Sequence, residues 1–269
     1  MVRLCLLCAC LFTIGMAGDG CPPEPGGREP ENGESARVTE QAREKKTQED
    51  RWKEKRHAMV EHYIEGRSVG SPAVESERVL DAMRKVPRHL FVPERYRDRA
   101  YSDTPLPIGH DQTISQPYIV ALMTDRLQVE PDDRVLEVGT GSGYQAAVLS
   151  ELCREVYTIE IVEGLAKEAR ERLKRLGYDN VRVRHGDGFY GWEEHAPFDG
   201  IIVTAAADEL PQPLLGQLKP GGRMVIPVDT RFGAQELLAV KKTENGEVRR
   251  ERITLVRFVP MTGRIEEVN

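Results

Sequence analysis

Cysteine is nearly absent from the body of this chain. Of five in 269 residues, Cys5, Cys8, Cys10 and Cys21 crowd into the first 21 positions and only Cys153 lies beyond them. No disulfide framework and no CxxC metal pair supports the fold, and no metal is expected. A basic excess is also missing. With a net charge of −6 and 30% charged residues, nothing neutralises a phosphate backbone, so no nucleic acid is expected as the main partner. Long apolar runs are lacking too: the segment Leu4–Ala17 is too short for a comfortable membrane span, and no stable span is expected. Absent as well are a nucleophile with a His and an Asp attached and the Tyr-x-x-x-Lys pair of a hydride-transfer site.

What remains is enough apolar content, 39%, for one good core and too short a chain for two large domains. Arg3 followed by the apolar run, with small Gly15 and Ala17 behind it, makes residues 1–20 a signal-like segment. Residues 21–58 read as a Pro-, Gly- and Glu-rich linker to about Ser35, followed by a densely charged exposed helix with no partner. Residues 59–269 read as a single domain.

Val79, Met83 and Val86 lie at helical spacing and Pro87 ends that helix. From Arg134 onward, short apolar runs (Val135–Val138, Val156–Ile161, Val181–Val183, Ile201–Val203, Met224–Val228) alternate with amphipathic helices. In one of these Leu165, Ala169, Leu173 and Leu176 share a face and Gly177 is the stop. Such alternation predicts a mostly parallel sheet covered on both faces. The end of the chain differs: Leu237–Val240 and Ile253–Val259 flank Asn245-Gly246, a tight hairpin turn, so an antiparallel pair should close the sheet. Cys153, in an apolar helical stretch, reads as core.

The run VLEVGTGSGYQAAVL, Val135 to Leu149, sets Gly139, Gly141 and Gly143 between a strand and a helix. Glycines there admit close approach of a ligand to backbone N–H groups at the helix start. Dinucleotide enzymes share a GxG loop, but their fingerprint wants a small residue where Tyr144 stands. The Glu137-x-Gly139-x-Gly141-x-Gly143 spacing instead resembles the first motif of class I methyltransferases, in which Glu137 would face the cationic amino-acid end of S-adenosyl-L-methionine. Glu160, about twenty positions on at the next strand end, can accept from ribose hydroxyls. Asp187, with Gly188, follows the third strand and could accept from the adenine amine. The fold expected is α/β, a doubly wound class I S-adenosylmethionine methyltransferase (Rossmann-like) sheet with an antiparallel C-terminal strand pair.

Upstream, LPIGHDQTISQPYIVALMT (Leu106 to Thr124) resembles the signature of protein-L-isoaspartate (D-aspartate) O-methyltransferases. VPRHLFVPERYRDRAYSDTPLPIG, FDGIIVTAAADELP, LKPGGRMVIPV and VRFVPMTG extend that resemblance from about Ser76 to Gly263. It implies Ser115 as the active-site serine, Gln116, Pro117, Tyr118, Ile119 and Thr262 at the cofactor, and Thr113, Ile114, Val259 and Pro260 at the substrate. Residues 76–124 would then be the substrate segment, 125–228 the cofactor-binding core, and 229–269 the C-terminal hairpin and substrate strand. Position 111 commonly carries glycine in bacterial relatives and here is Asp111, a departure that bears on local backbone conformation and entrance charge.

The reaction so implied is methyl transfer to the free α-carboxylate of L-isoaspartyl residues in damaged peptides and unfolded or aged proteins. A carboxyl group with a pKa of about 3.9 is already ionised at neutral pH, so the chemistry asks for alignment rather than a base, and His110 is not needed as one. An extended peptide would pair with the strand near Val259. The rivals are a small-molecule methyltransferase, which would ignore isoaspartyl peptides, a nicotinamide dehydrogenase, opposed by Tyr144, and a non-catalytic exported module, favoured only by residues 1–20. The cytoplasm, where the methyl donor is made, is the expected location, with export through the signal-like segment as the alternative.

Overall fold

The computed structural model describes residues 32–66 and 70–263. The signal-like segment, the first four cysteines and most of the linker lie outside the described residues. The chain divides into two units, Met1–Lys45 and Lys46–Asn269. In the first, the described residues from Asn32 are helical and begin α1 (Asn32–Met59).

Glu40, Gln41 and residues 43–51 of α1 are exposed, but the end of the helix docks on the core, contrary to the expectation of a helix with no partner. Trp52 stacks on His89 with ring centroids 4.7 Å apart. Arg56, buried, donates from Nε to the Arg84 carbonyl at 2.5 Å and from Nη1 to the Tyr101 hydroxyl at 3.4 Å. Met59, and then Val60 and Ile64 in the wider turn Val60–Glu65, enter the core. The apolar positions are sparse enough to be missed among charges, but they recur at helical spacing and give the helix one buried stripe at its end.

His89 sits beneath Trp52 with Nδ1 at 2.7 Å from the Tyr101 hydroxyl. Burial, with the charges of Arg56 and Arg97, pushes its pKa down to about 4. Between the ordinary value of about 6.5 and that figure the unfolded chain takes up a proton that the folded one refuses. Stability fully present above pH 6.5 is therefore lost as pH falls through that window, by up to about 3 kcal/mol. His89→Gln should flatten this part of the melting-temperature profile. An unchanged slope between pH 7 and 5 would remove His89 as its source.

The first helix read from the sequence is α2 (Glu77–Lys85), with Val79 and Met83 buried and Val86 as its C-cap. A short antiparallel hairpin follows, β1 (Leu106–Gly109) and β2 (Gln112–Ile114), then α3 (Pro117–Leu127). The nucleotide-binding half runs β3 (Arg134–Val138), α4 (Tyr144–Ser150), β4 (Glu155–Glu160), α5 (Glu163–Arg175), β5 (Val181–His185), β6 (Phe198–Val203), α6 (Gln212–Gln217) and β7 (Leu218–Asp229). The antiparallel strands β8 (Gln235–Lys242) and β9 (Val248–Val256) complete the sheet. All five apolar runs named above became strands; β3, β4, β6 and residues 224–227 of β7 are buried on both faces, whereas β5 at the sheet edge, interrupted by Arg182, is only partly buried.

Among the described residues the main sheet has the order β5-β4-β3-β6-β7-β8-β9, parallel through β7. Along β3 the pleat sends Val135 into the core cluster under α3 and α4 and Leu136 into the one facing α6. The chain moves outward from β3 to β5, then returns to lay β6 on the other side of β3. That reversal opens a crevice beyond the carboxyl ends of β3 and β6. Gly177, at φ +82°, ends the turn after α5. Cys153 is buried with its sulfur on the Leu149 carbonyl at 3.3 Å, and burial pushes its thiol up to about 12, so it is core and unreactive.

The last strand ends earlier than its apolar run implies. β9 stops at Val256, where Gln235 captures Phe258, accepting its N–H at 2.5 Å and donating to its carbonyl at 3.2 Å. Val259 then offers its carbonyl to Ala206 N–H at 2.8 Å, and Met261 N–H returns to the Ala206 carbonyl at 2.7 Å. Apolar content alone cannot distinguish a strand from a segment that leaves the sheet to bridge another strand's exit.

Candidate active site

Val138 leads directly into the glycine loop. Gly139 has φ +97°, and a Cβ there would lie 2.4 Å from Thr204 Oγ1. Thr204, just past β6, donates from that oxygen to the Gly139 carbonyl at 2.6 Å, locking the loop to the neighbouring strand. Gly141 lies beneath Ile108, which would be 3.2 Å from an added Cβ, so the β1–β2 hairpin closes over the loop. Gly143 differs from both, because it caps α4 at φ +87° and packs on Leu173 and Ala169 of α5, outside the hollows along the loop.

The carboxylates occupy three successive strand ends, as the sequence indicated. Glu160 accepts the N–H of Gly141 at 2.7 Å and that of Val162 at 3.0 Å, one on each oxygen, which leaves each further acceptor capacity, and the residue borders the crevice. Asp187 accepts from Phe189 N–H at 2.8 Å and lies against Gly263, so the closing segment covers it. Gly188 packs on Val138, where a Cβ would come within 2.3 Å. Glu137 is the outlier. It is 0% exposed, and neither carboxylate oxygen has a hydrogen-bond partner. Burial pushes its pKa up to about 8, and the charge of Glu160 adds to the rise. The neighbouring Thr158 hydroxyl, 2.6 Å from that of Thr140, opposes the rise without cancelling it. A buried acceptor left open is costly, and a cation fits it. Together with the glycine cradle, these residues fit a ligand carrying an ammonium group, a ribose and an adenine.

Ser115 follows β2 and precedes α3. Ser115 does not cap that helix. Gln116 holds the cap position without a side-chain bond, and Asp103 reaches in to accept Tyr118 N–H at 3.0 Å and Gln116 Nε2 at 3.3 Å. The Ser115 hydroxyl therefore has no partner among the described residues. Its carbonyl is fixed from below by Arg88, which is fully buried and donates from Nη2 at 2.7 Å while Nε holds the Ala100 carbonyl at 2.8 Å. Burial pulls Arg88 down to about 10, so it stays charged at neutral pH, with its guanidinium 4.8 Å from the Tyr144 ring centre.

Three hollows meet at this point. The largest, about 500 Å³, is walled by Thr113, Ser115, Gln116, Tyr118 and Ile119 on one side and by residues 254–259 on the other. A second, about 70 Å³, runs from Gly139 and Gly141 past Glu160 and Gly188 to Val259, Pro260 and Thr262. The third, about 40 Å³, brings Ser115, Thr113 and Ile114 against Glu137 and the glycine loop. Thr113 and Thr204 border all three. Pro117 is buried as the first residue of α3 and lines none of these three hollows. The sequence reading missed Thr204, Arg88 and Asp103. A polar residue directly after the apolar run of β6, at the carboxyl edge, was the available signal for the first. The other two act over distances no local pattern reveals.

His110 and Asp111 form the β1–β2 turn, at φ +51° and +56°. The His110 ring lies over Gly164 at the start of α5, away from the hollows described above. Glycine would adopt the Asp111 conformation without strain. Asp111→Gly is expected to stabilise the fold by about 1 kcal/mol and raise Tm by about 2–4 °C. A lower Tm would mean that the Asp side chain supports the turn.

With this geometry in place, comparison with known proteins gives a consistent result. The family model for Protein-L-isoaspartate(D-aspartate) O-methyltransferase matches residues 55–266. Protein-L-isoaspartate O-methyltransferase 2 of Syntrophobacter fumaroxidans is 63% identical over 195 residues, 72% of this chain and 78% of that one. The protein of the same name from a Polaromonas species is 63% identical over 194 residues, 72% of this chain and 92% of that one. A solved protein-L-isoaspartate O-methyltransferase superposes with a TM-score of 0.68 at 29% identity, over 78% of this chain and 66% of that one, just under two thirds of its length. A Plasmodium falciparum protein assigned the same activity, solved with S-adenosyl-L-homocysteine, gives 0.67 at 28% identity over 77% of this chain and 98% of that one.

Proposed function

The chain belongs to the protein-L-isoaspartate (D-aspartate) O-methyltransferase family, and from that premise we propose how its own residues perform the family's reaction. The enzyme methylates the free α-carboxylate of L-isoaspartyl residues, with S-adenosyl-L-methionine as donor. The methyl ester then collapses to a succinimide, which begins repair. Bound, S-adenosyl-L-methionine supplies an electrophilic methyl group on a sulfonium.

The observation that carries the site assignment is the unsatisfied carboxylate of Glu137, placed beside the glycine loop and sharing a hollow with Ser115. Glu137 receives the ammonium end of the donor. Gly139 and Gly141 let the backbone approach it, Glu160 accepts from its ribose, and Val138, Ile159, Val162 and Met261 offer apolar surface beside Gly188 for its base. Asp187 accepts from the adenine amine at the rim, and Thr262 closes over that end.

The larger cavity takes the peptide. An isoaspartyl linkage routes the main chain through the side-chain carbonyl and leaves its α-carboxylate on a short arm, and Ser115 Oγ orients that arm by donating a hydrogen bond. No base is required of the protein, because the acceptor arrives ionised. Gln116 and Tyr118 hold the wall: Tyr118 donates from its hydroxyl to the Pro72 carbonyl at 2.8 Å, tying residues 70–72 to the cavity mouth. Because the Val259 carbonyl already accepts from Ala206, backbone pairing to an extended substrate falls mainly to the free edge of β9 and not to Val259. Val259, Pro260, Thr113 and Ile114 contact the substrate through their side chains. The substrates are isoaspartyl peptides and unfolded or aged proteins, whose chains can extend into such a cleft.

Among the described residues no helix is long and apolar enough to cross a membrane. We place the reaction in the cytoplasm, where the methyl donor is made. An intact mass lacking the first 17–20 residues would instead point to export. The function itself is tested with radiolabelled donor and two peptides differing only in an isoaspartyl or aspartyl linkage. Base-labile label is expected on the first alone; equal labelling, or none, would overturn the assignment.

A further inference from the structure

Phe232 is 96% exposed, and nothing in the fold uses its ring. It is not left out by a slack loop. Thr230 N–H donates to the Ala234 carbonyl at 2.7 Å, Gly233 N–H to the Thr230 carbonyl at 3.0 Å, and Ala234 N–H to Thr230 Oγ1 at 3.2 Å. Gly233, at φ +77°, supplies the left-handed step that closes the turn. The β7–β8 turn thus holds a large apolar side chain outward in a fixed, hydrogen-bonded frame.

Its place in the fold gives the ring a use. β7 runs parallel to β6, so this turn lies at the carboxyl edge of the sheet, with the glycine loop and Thr204. Gln235 is three residues beyond Phe232 and grips Phe258 through both ends of its amide. Phe258 and Leu255, the latter 62% exposed, are part of the wall of the larger cavity. Three residues of chain span at most about 10 Å, so the backbone at Phe232 lies within that distance of Gln235, whose amide holds the wall residue Phe258. Arg231 beside it and Arg257 on the wall make no ion pair or hydrogen bond among the described residues.

We propose that Phe232 and Leu255 form an apolar grip outside the cavity, which holds a hydrophobic side chain of the same unfolded polypeptide whose isoaspartyl residue occupies the site. The inference rests on the methyl-transfer reading above and adds a substrate preference to it: isoaspartyl residues a few positions from an exposed apolar side chain. Continuity with the substrate cavity, through Gln235 and Phe258, favours this occupant over a lipid surface. Folded proteins bury such side chains, whereas damaged, extended ones present them, so the grip selects chains in need of repair.

The test is a series of isoaspartyl peptides with serine and glycine flanks, carrying one phenylalanine at increasing distance on either side. At one offset KM should fall about fivefold to tenfold relative to the phenylalanine-free peptide. Phe232→Ser should abolish that gain while leaving kcat/KM on the phenylalanine-free peptide within about twofold and Tm unchanged, since the ring is already in solvent. A gain at no offset, or one that survives both Phe232→Ser and Leu255→Ser, overturns the proposal. So does an unaltered peptide series accompanied by lost sedimentation of the Phe232→Ser protein with anionic vesicles, which would make the turn a membrane contact. If the wild-type protein methylates none of the peptides, the methyl-transfer reading falls and this inference with it.

Discussion

Replacing Glu137 by glutamine should weaken binding of S-adenosyl-L-homocysteine about a hundredfold at pH 8.5 and abolish the pH dependence of that binding. Both effects originate in burial. Fully enclosed and without hydrogen-bond partners, the carboxyl group has a pKa pushed up to about 8 in the empty site, so at pH 7 it is mostly protonated. An ammonium group needs the ionised form. Binding must therefore release a proton, and affinity should rise by about tenfold per pH unit below 8 and level off above it. Removing one partner of a buried charge pair typically costs a few kcal/mol, about a hundredfold in affinity. Calorimetry in buffers of different ionisation enthalpy measures the proton directly. Wild-type affinity flat from pH 6 to 9, or a Gln variant that binds as tightly, would show that Glu137 does not meet the cation.

The same group has an opposite effect on the ligand-free fold. Its folded pKa lies above the ordinary carboxyl value, so between about 4.5 and 8 the folded protein holds a proton that the unfolded chain releases. Glu137 therefore lowers the stability of the empty enzyme as pH rises through that window. Bound donor removes the penalty, so its stabilising effect on Tm should grow with pH.

The strand and helix pattern from Arg134 onward was legible because both signals were strong: short runs rich in β-branched and other apolar residues gave β3 to β7, and the stripe of Leu165, Ala169 and Leu173 gave α5. The acidic strand ends were legible for a related reason, since parallel topology sends every strand end to one edge. Long-range polar contacts were not. Asp103 capping α3, Arg88 clasping the Ser115 carbonyl and Gln235 pulling Phe258 out of β9 each join residues more than ten positions apart, where no periodicity operates. Trp52 and Arg56 were obscured by the charges around them, because a helix docked by one short stripe has the composition of a solvated one.

Ser115→Ala should lower kcat about a hundredfold and leave the affinity for S-adenosyl-L-homocysteine within about twofold. What the hydroxyl can contribute depends on where charge goes in the reaction. As one carboxylate oxygen attacks, its negative charge drains away, so a hydrogen bond to that oxygen would weaken in the transition state and slow the step. The Ser115 hydroxyl serves the reaction by holding the other oxygen and thereby aiming the first, an effect on geometry and hence on kcat. Its backbone is held independently of its side chain by Arg88 and by the start of α3, so the alanine variant should melt with the wild type. Ser115→Thr, which keeps a hydroxyl, should retain part of the rate. Because the acceptor is already ionised, wild-type kcat at saturating donor should stay flat from pH 6 to 9 even as donor affinity climbs with Glu137. An alanine variant with undiminished kcat would show that the peptide carboxylate is aligned by another group.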